Sequence, residues 1–251
     1  MKNLYKTVLI VLMSAACGII ITSVSCTRTE TGYVRHNINI ARDDSKYQGI
    51  DVSSHQQYIQ WDKIKKDKNI HFAYIKATEG AHYTSPHYAY NVKMAHSNGM
   101  LIGSYHYFSS YSSVQEQYAN FTRTVMANEQ DIIPMVDVEK LGQWTRQELI
   151  DSLSLFMDML TEHYGIQPMI YSQMSFYNDN LSPYFNKYPL YIARYSFRQP
   201  KIKWNGHYVL WQYTEKGVVP GVSSHVDLCR FSSDKWFDDI EMPSSSSQKS
   251  S

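Results

Sequence analysis

Two carboxylates lie one residue apart in PMVDVEK (residues 134–140), a short apolar run that contains Asp137 and Glu139. Residues two apart on a β-strand share a face and are separated by about 6.6 Å along it. Paired carboxylates that cleave glycosidic bonds stand roughly 5–9.5 Å apart. In a poorly solvated pocket two such groups cannot both ionise easily, so the pKa of one should rise and leave an acid beside a base or electrostatic stabiliser. A salt-bridged structural pair is the alternative.

Two further acids occupy strand-like segments. Asp51 lies in GIDVSSH and shares a face with Ser53, and Asp227 lies in HVDLCRF. A single buried aspartate is usually a helix cap or an ion-pair partner. Several acids gathered at strand ends in one pocket lower stability, and function is the common reason for such an arrangement.

The elements that must position these acids alternate along the chain. The pattern predicts strands at residues 47–54, 71–80, 100–108, 131–140, 166–172, 189–195, 207–214 and 225–231. It predicts helices at residues 61–68, 85–98, 113–128, 145–165 and 174–181. Strand–helix alternation is typical of a parallel sheet with helical crossovers.

The fold class predicted from this order is α/β, a modified TIM-like barrel of five βα units followed by three β-strands. Ser113 with Glu116 and Thr145 with Glu148 form capping boxes that begin two of the helices. A doubly wound sheet is the alternative, but neither GxGxxG nor GxxxxGK[ST] occurs. In a barrel, Val136 and Val138 would face the helices, and the acids would point inward at the strand ends where active sites are built.

Composition narrows the function. The net charge is +1 and no basic block occurs, so no nucleic-acid partner is predicted. The 21 tyrosines could line a sugar site or fill the rim of the core. The ten histidines show no HExxH or CxxC spacing, so a metallohydrolase is disfavoured and neither metal nor cofactor is predicted. Cys229 is the single cysteine of the body and should be a small buried residue.

The N-terminal segment has the pattern of an export signal. Lys2 and Lys6 precede an apolar run over residues 7–25, and Ser25 precedes Cys26. This pattern resembles a bacterial lipoprotein signal with Cys26 as the lipidated residue, and Cys17, which follows Ser14-Ala15-Ala16, is a weaker competitor. A cleaved secretory signal and an uncleaved anchor are the alternatives. Each of the three would export the protein, as a membrane-anchored lipoprotein of the cell envelope or a secreted protein.

The predicted domains follow from these segments. Residues 1–26 form the signal or anchor, residues 27–45 a polar tether, residues 46–240 the barrel and residues 241–251 a Ser-rich disordered tail. The membrane would be contacted only through the N-terminal lipid or anchor.

The body resembles the glycoside hydrolase family 25 lysozymes, the Chalaropsis-type muramidases. The motifs that carry the resemblance occur in order over about residues 47–238: YQGIDVSSHQ, FAYIKATEG, GSYHYF, PMVDVE, MIYS, LYIARY, WQYT and VDLCRF. The family's barrel of five βα units and three strands agrees with the element count. The resemblance implies hydrolysis of the β-1,4 bond after N-acetylmuramic acid in peptidoglycan.

The resemblance also implies roles for individual residues. Glu139 matches the general acid, Asp137 the neighbouring aspartate, Asp51 the first-strand aspartate and Asp227 the aspartate near the last strand. A retaining route is favoured for the family, in which the substrate's 2-acetamido oxygen attacks while an aspartate orients it. We expect Asp137 to be that aspartate and Asp51 to hold the sugar or a water.

Other positions match pocket-lining residues of the family. They are Glu79, Tyr105, Tyr107, Tyr171, Trp211 and Gln212, and core packing is the alternative for each. Lys76 could pair with the acids or serve a structural role. Cys229 departs from the family, which commonly has Asn or Asp there, so a polar contact near Asp227 is in doubt.

The resemblance implies that the protein binds the glycan strands of peptidoglycan. The protein is expected to be a monomer. A non-catalytic glycan-binding lipoprotein on the same barrel is the alternative function, and the retained Glu139 favours the enzyme.

Overall fold

The computed structural model describes residues 49–243, and the predicted signal, tether and Cys26 lie outside this range, as does all but the start of the predicted tail. The strands are β1 (Gly49–Val52), β2 (Phe72–Glu79), β3 (Tyr83–Thr84), β4 (Leu101–Tyr107), β5 (Met135–Asp137), β6 (Met169–Gln173), β7 (Leu190–Ala193), β8 (Leu210–Gly217) and β9 (Val226–Phe231). The helices are α1 (Trp61–Ile64), α2 (Tyr88–Ser97), α3 (Val114–Thr124), α4 (Arg146–Tyr164) and α5 (Met174–Phe176), the last continued by a π-helical turn, Tyr177–Leu181.

Eight of these strands close into a barrel. The order β1-β9-β8-β7-β6-β5-β4-β2 is completed by pairing of β1 with β2, and the two-residue β3 lies outside the ring against β2. Helices follow the first five barrel strands, whereas β7, β8 and β9 succeed one another without an α-helix. The predicted α/β barrel of five βα units and three strands is therefore confirmed.

The strand directions differ from the predicted parallel sheet at one position. β9 runs antiparallel to both β8 and β1, and the other barrel pairings are parallel. As a result, the start of β9 lies at the same end of the barrel as the carboxyl ends of the other strands. Asp227, the second residue of β9, is thereby placed opposite Asp51 in the register.

The long helices begin and end where local chemistry predicts. The side chains of Ser113 and Thr145 each accept a hydrogen bond from the backbone of the glutamate three residues later, and each glutamate reaches back to the cap. Gly165 ends α4 with a φ of 69°, a conformation that glycine adopts without strain. The predicted helix at residues 61–68 is shorter in the structure and ends at Ile64.

Aromatic rings fill the barrel at the end remote from the acids. Phe72 lies 5.6 Å from Phe231 and 5.5 Å from Phe237, measured between ring centroids. Gly49 makes room for this packing, because a Cβ atom there would lie 2.3 Å from the ring of Phe72. This end is therefore closed by apolar packing, and the opposite end is left for polar groups.

Within residues 49–243, no helix has the length and apolar content needed to cross a membrane.

Candidate active site

Four acids converge at the carboxyl-end face of the barrel. Asp51, Asp137, Glu139 and Asp227 line one pocket with a volume of about 90 Å³. Its remaining lining residues are Tyr105, Met135, Tyr171 and Gln212. The structure thus brings together all four acids that the sequence singled out.

The paired acids lie at the end of β5, which is shorter than the predicted strand at residues 131–140: Asp137 is its last residue, and Glu139 follows two residues later. Met135, Asp137 and Glu139 face the pocket, and the intervening Val136 and Val138 are fully buried in the apolar core. Asp137 is 6% exposed and Glu139 is partly exposed. The pair therefore combines a buried carboxyl with one that is more open to the pocket.

Electrostatics separate the two members of this pair. Burial, followed by repulsion from Glu139, raises the pKa of Asp137 well above its ordinary value, and the positive charge of Lys76 acts in the opposite direction. Asp137 Oδ1 is buried and accepts no hydrogen bond from the part of the chain that is described. A carboxyl with a raised pKa beside a second acid, with an acceptor oxygen left free for a ligand, suits acid–base chemistry.

Asp51 is held on one side by a network of polar side chains. Its Oδ2 accepts hydrogen bonds from the hydroxyl of Tyr191 and from Gln212 Nε2, the latter at 2.9 Å. Gln212 Oε1 accepts from the hydroxyls of Tyr171 and Tyr195, each at 2.9 Å. Because Oδ2 is fully engaged, the buried Oδ1, which has no partner within residues 49–243, is the oxygen free to meet a ligand.

Asp51 and Asp227 also have raised pKa values. Burial, and then repulsion from Asp227, raises the pKa of Asp51 to about 8, although its hydrogen bonds to Tyr191 and Gln212 oppose the shift. Burial and repulsion from Glu215 and Glu139 raise the pKa of Asp227 to about 6. The pocket is thus acidic throughout and poorly solvated, which is the setting in which carboxyl groups hold protons near neutral pH.

The other predicted site residues divide into three groups. Tyr105, Tyr171 and Gln212 line the pocket. Tyr107 and Glu79 stand in register with Asp137 across three adjacent strands, at the edge of the site. Trp211 is outside the pocket lining, and its indole nitrogen donates to the carbonyl of Arg194 at 2.8 Å while the guanidinium of Arg230 stacks on its ring.

Two tyrosines of the network were not selected from the sequence. Tyr191 and Tyr195 both belong to LYIARY, a motif recognised as a strand. Tyr191 lies on β7, in register with Tyr171 of β6, which is a pocket residue. Strand alternation, which also predicts the inward positions of Asp137 and Glu139, places Tyr191 on the inner face and is the signal that could have identified it.

Metal-binding groups are not a feature of the described residues. Within residues 49–243, no cluster of three or more His, Cys, Asp or Glu side chains is arranged to hold a metal ion.

Cys229 is a free cysteine and is buried, as the sequence predicts.

The barrel and its acidic pocket define a glycoside hydrolase. The family model for glycosyl hydrolases family 25 matches residues 50–222. The chain is therefore a member of glycosyl hydrolase family 25, in agreement with the resemblance carried by its motifs.

Individual relatives and one solved structure are similar to the chain over most of its length. The chain is 36% identical over 187 residues to the Escherichia coli K12 protein YegX, covering 72% of this chain and 67% of that protein. It is 34% identical over 185 residues to the autolytic lysozyme of Clostridium acetobutylicum, covering 73% of this chain and 55% of the lysozyme. The crystallised family 25 glycosyl hydrolase of Bacillus anthracis superposes with a TM-score of 0.71 and 27% identity, over 82% of this chain and all of that one.

Proposed function

We propose that this protein is a muramidase, a lysozyme-type hydrolase that cleaves the β-1,4 bond between N-acetylmuramic acid and N-acetylglucosamine in peptidoglycan. The observation that carries the proposal is the placement of Asp137, the last residue of β5, and of Glu139, two residues further on, in one acidic pocket. Family membership and the similarity to an autolytic lysozyme support the choice of substrate.

Glu139 is the proposed general acid. Its side chain is partly exposed in the pocket and can reach a bound sugar, whereas Asp137 is buried beside it. In the first step Glu139 gives its proton to the glycosidic oxygen as the bond to the anomeric carbon breaks. The 2-acetamido oxygen of the substrate forms the new bond to that carbon, giving a cyclic oxazolinium intermediate and the free leaving-group sugar.

Asp137 is the proposed orienting group. Its carboxylate accepts a hydrogen bond from the acetamido N–H and stabilises the positive charge of the oxazolinium. In the second step water attacks the anomeric carbon, Glu139 takes the proton from that water and the ring opens with retention of configuration. Asp51, with one oxygen engaged by Tyr191 and Gln212, holds the sugar or the water through Oδ1.

A digestion experiment tests this function. Purified peptidoglycan is incubated with the full-length chain and with Glu139→Gln, and the sugar at each new reducing end is identified. We expect muramic-acid ends from the wild type and a loss of about 10²–10⁴-fold in the variant, the usual contribution of a general acid. Glu162→Gln, which replaces an exposed glutamate of α4, is the control and should cut at the wild-type rate.

Two results would contradict the proposal. Glucosamine reducing ends would assign a different bond. Retention of both proteins on peptidoglycan without any new ends would leave a glycan-binding protein on a hydrolase fold.

We further propose that the protein is exported and held at the membrane by a lipid on Cys26. The support is the sequence pattern of Lys2, Lys6 and the apolar run that ends at Ser25. Labelling with a radioactive fatty acid in a bacterial host tests this, because Cys26→Ser should abolish the label and Cys17→Ser should leave it unchanged. The lipoprotein proposal would be contradicted if the wild type and Cys17→Ser both lacked the fatty-acid label.

A further inference from the structure

Strand β2 carries an irregularity beside the active site. Its register against β4 shifts between Lys76 and Thr78. In an unbroken strand, residues three apart point to opposite faces, but one extra residue restores them to the same face. Lys76 and Glu79 consequently meet, with 2.6 Å between Lys76 Nζ and Glu79 Oε2.

The ammonium group of Lys76 is enclosed by aromatic rings. Lys76 Nζ lies 4.9 Å from the ring centroid of Tyr107 and 5.6 Å from that of Tyr83, distances at which a cation is attracted to the ring. The Lys76 side chain is 16% exposed, whereas that of Glu79 is 44% exposed. The cation is therefore shielded from water, and its counter-ion lies on the more exposed side.

The register of the strands places this ion pair next to the proposed catalytic acids. Glu79 pairs with Tyr107, and Tyr107 pairs with Asp137 on the following strand. Lys76, whose ammonium group lies over the ring of Tyr107, is thus close to Asp137. A charge in this shielded position acts on its neighbours more strongly than it would in water.

We propose that Lys76 is a positioning residue whose charge sets the pH range in which the Asp137–Glu139 pair works, and that Glu79 attenuates this charge. The inference rests on the proposed function and deepens it by assigning the control of its pH dependence. It also gives Glu79 a role other than direct contact with substrate.

The electrostatics of the pocket show why a cation is needed. The titratable groups around Asp137 are Glu139, Lys76, Asp51, Tyr105, Tyr107 and Tyr171. Asp227 adds a further acid on the β9 side of the pocket. Burial and the neighbouring carboxyls raise the pKa of Asp137, and Lys76 lowers it. Without that cation, Asp137 would keep its proton to a higher pH, and a neutral carboxyl would stabilise the positive charge of the oxazolinium less than a carboxylate does.

Substitutions of Lys76 and of Glu79 are predicted to shift the pH dependence of kcat in opposite directions. The dependence of kcat on pH is measured for the full-length wild type, Lys76→Met, Lys76→Arg and Glu79→Gln. In Lys76→Met the rising limb should move to higher pH by about one unit, the lower end of the effect of a nearby charge. Lys76→Arg keeps the charge and should stay near the wild type. Glu79→Gln removes the attenuating charge and should move the limb to lower pH, by less.

A purely structural ion pair predicts a different pattern, because both substitutions would break the same bridge. The inference would be overturned if Lys76→Met and Glu79→Gln moved the rising limb of the pH profile in the same direction, or if neither moved it. An increase in KM for Glu79→Gln with an unmoved limb would also overturn it and assign Glu79 to substrate contact. If Lys76→Met fails to fold, Glu79→Gln decides alone, since only a shift to lower pH supports the inference. A wild type without activity at any pH would instead refute the proposed function.

Discussion

On the β1–β9 side of the pocket one oxygen of Asp51 is held by Tyr191 and Gln212, whereas on the β5 side Asp137 lies beside Glu139 and Lys76. Each of the two acids keeps a buried Oδ1 without a partner in the described chain. Both acids are 6% exposed, so burial does not distinguish them. The difference lies in the remaining neighbours, which are two neutral hydrogen-bond donors and the carboxyl of Asp227 for Asp51, and the carboxyl of Glu139 and the ammonium group of Lys76 for Asp137.

This contrast indicates a division of labour. An acid with one oxygen fixed by two hydrogen-bond donors is suited to hold a ligand in one orientation, since the donors keep the carboxyl in place. An acid next to charged groups responds in its proton affinity to each change of charge, as catalysis requires. The β1–β9 side is therefore the proposed positioning side of the pocket, and the β5 side is the proposed reacting side.

The largest effect we predict on the positioning side concerns stability. The pKa of Asp51 is about 8 when folded, against an ordinary value of 3.8, so the folded state holds the proton more tightly than the unfolded chain. The carboxyl therefore destabilises the fold progressively as pH rises from about 4 to 8. Asp51→Asn should raise the free energy of unfolding at pH 8.5 by on the order of 2 kcal/mol, with no gain at pH 4.

Urea denaturation at both pH values measures this difference. Asn retains an oxygen that can accept from Tyr191 and Gln212, so the network survives the substitution. Asp62→Asn, at an exposed position of α1, is the control and should change neither value. A loss of stability at pH 8.5 in Asp51→Asn would show that Asp51 is a stabilising anion.

A smaller effect is expected when a donor to Asp51 is removed. Tyr191→Phe deletes the hydroxyl and leaves Oδ2 with Gln212 alone. With its pKa at about 8, Asp51 holds its proton at neutral pH, so this hydrogen bond joins neutral groups and contributes about 1 kcal/mol, and kcat/KM should fall roughly fivefold. Tyr164→Phe is the matched control, because that buried hydroxyl donates to the carbonyl of Val125 outside the pocket. Equal losses in the two variants would refute a specific role for Tyr191.

The smallest effects should come from the two tyrosines that hold Gln212. Tyr171→Phe and Tyr195→Phe each leave Gln212 Oε1 with one donor, so either alone should reduce kcat/KM about twofold to threefold. The double variant leaves that buried oxygen unpaired and should lose more than the product of the single effects. A double-mutant cycle of kcat/KM values measures the coupling. Additive losses would indicate that the two hydroxyls act independently of Gln212.

Strand alternation was sufficient to predict the acids. The inward positions of Asp137 and Glu139 follow from a period of two, and the position of Asp51 follows from its place near the end of β1. Capping boxes at Ser113 and Thr145 likewise fixed the starts of α3 and α4, because they depend on residues only three apart.

The features missed from the sequence depend on non-local pairing. The bulge after Lys76 interrupts the period of two in β2, and nothing in KATEG alone shows that residue 79 turns to the same side as residue 76. The antiparallel direction of β9 also depends on non-local pairing, because β9 closes the barrel between β8 and β1. The position of Trp211 could have been predicted, since it adjoins Gln212 on a strand and must face the other way.

The division of labour is tested most directly by measuring kcat for Asp137→Asn and Asp51→Asn side by side on one peptidoglycan fragment at one pH. Loss of the group that stabilises the transition state should reduce kcat about 10²–10³-fold in Asp137→Asn. Loss of a positioning contact should reduce it about tenfold in Asp51→Asn. An equal or greater loss in Asp51→Asn would contradict the account and place the reacting carboxylate on β1.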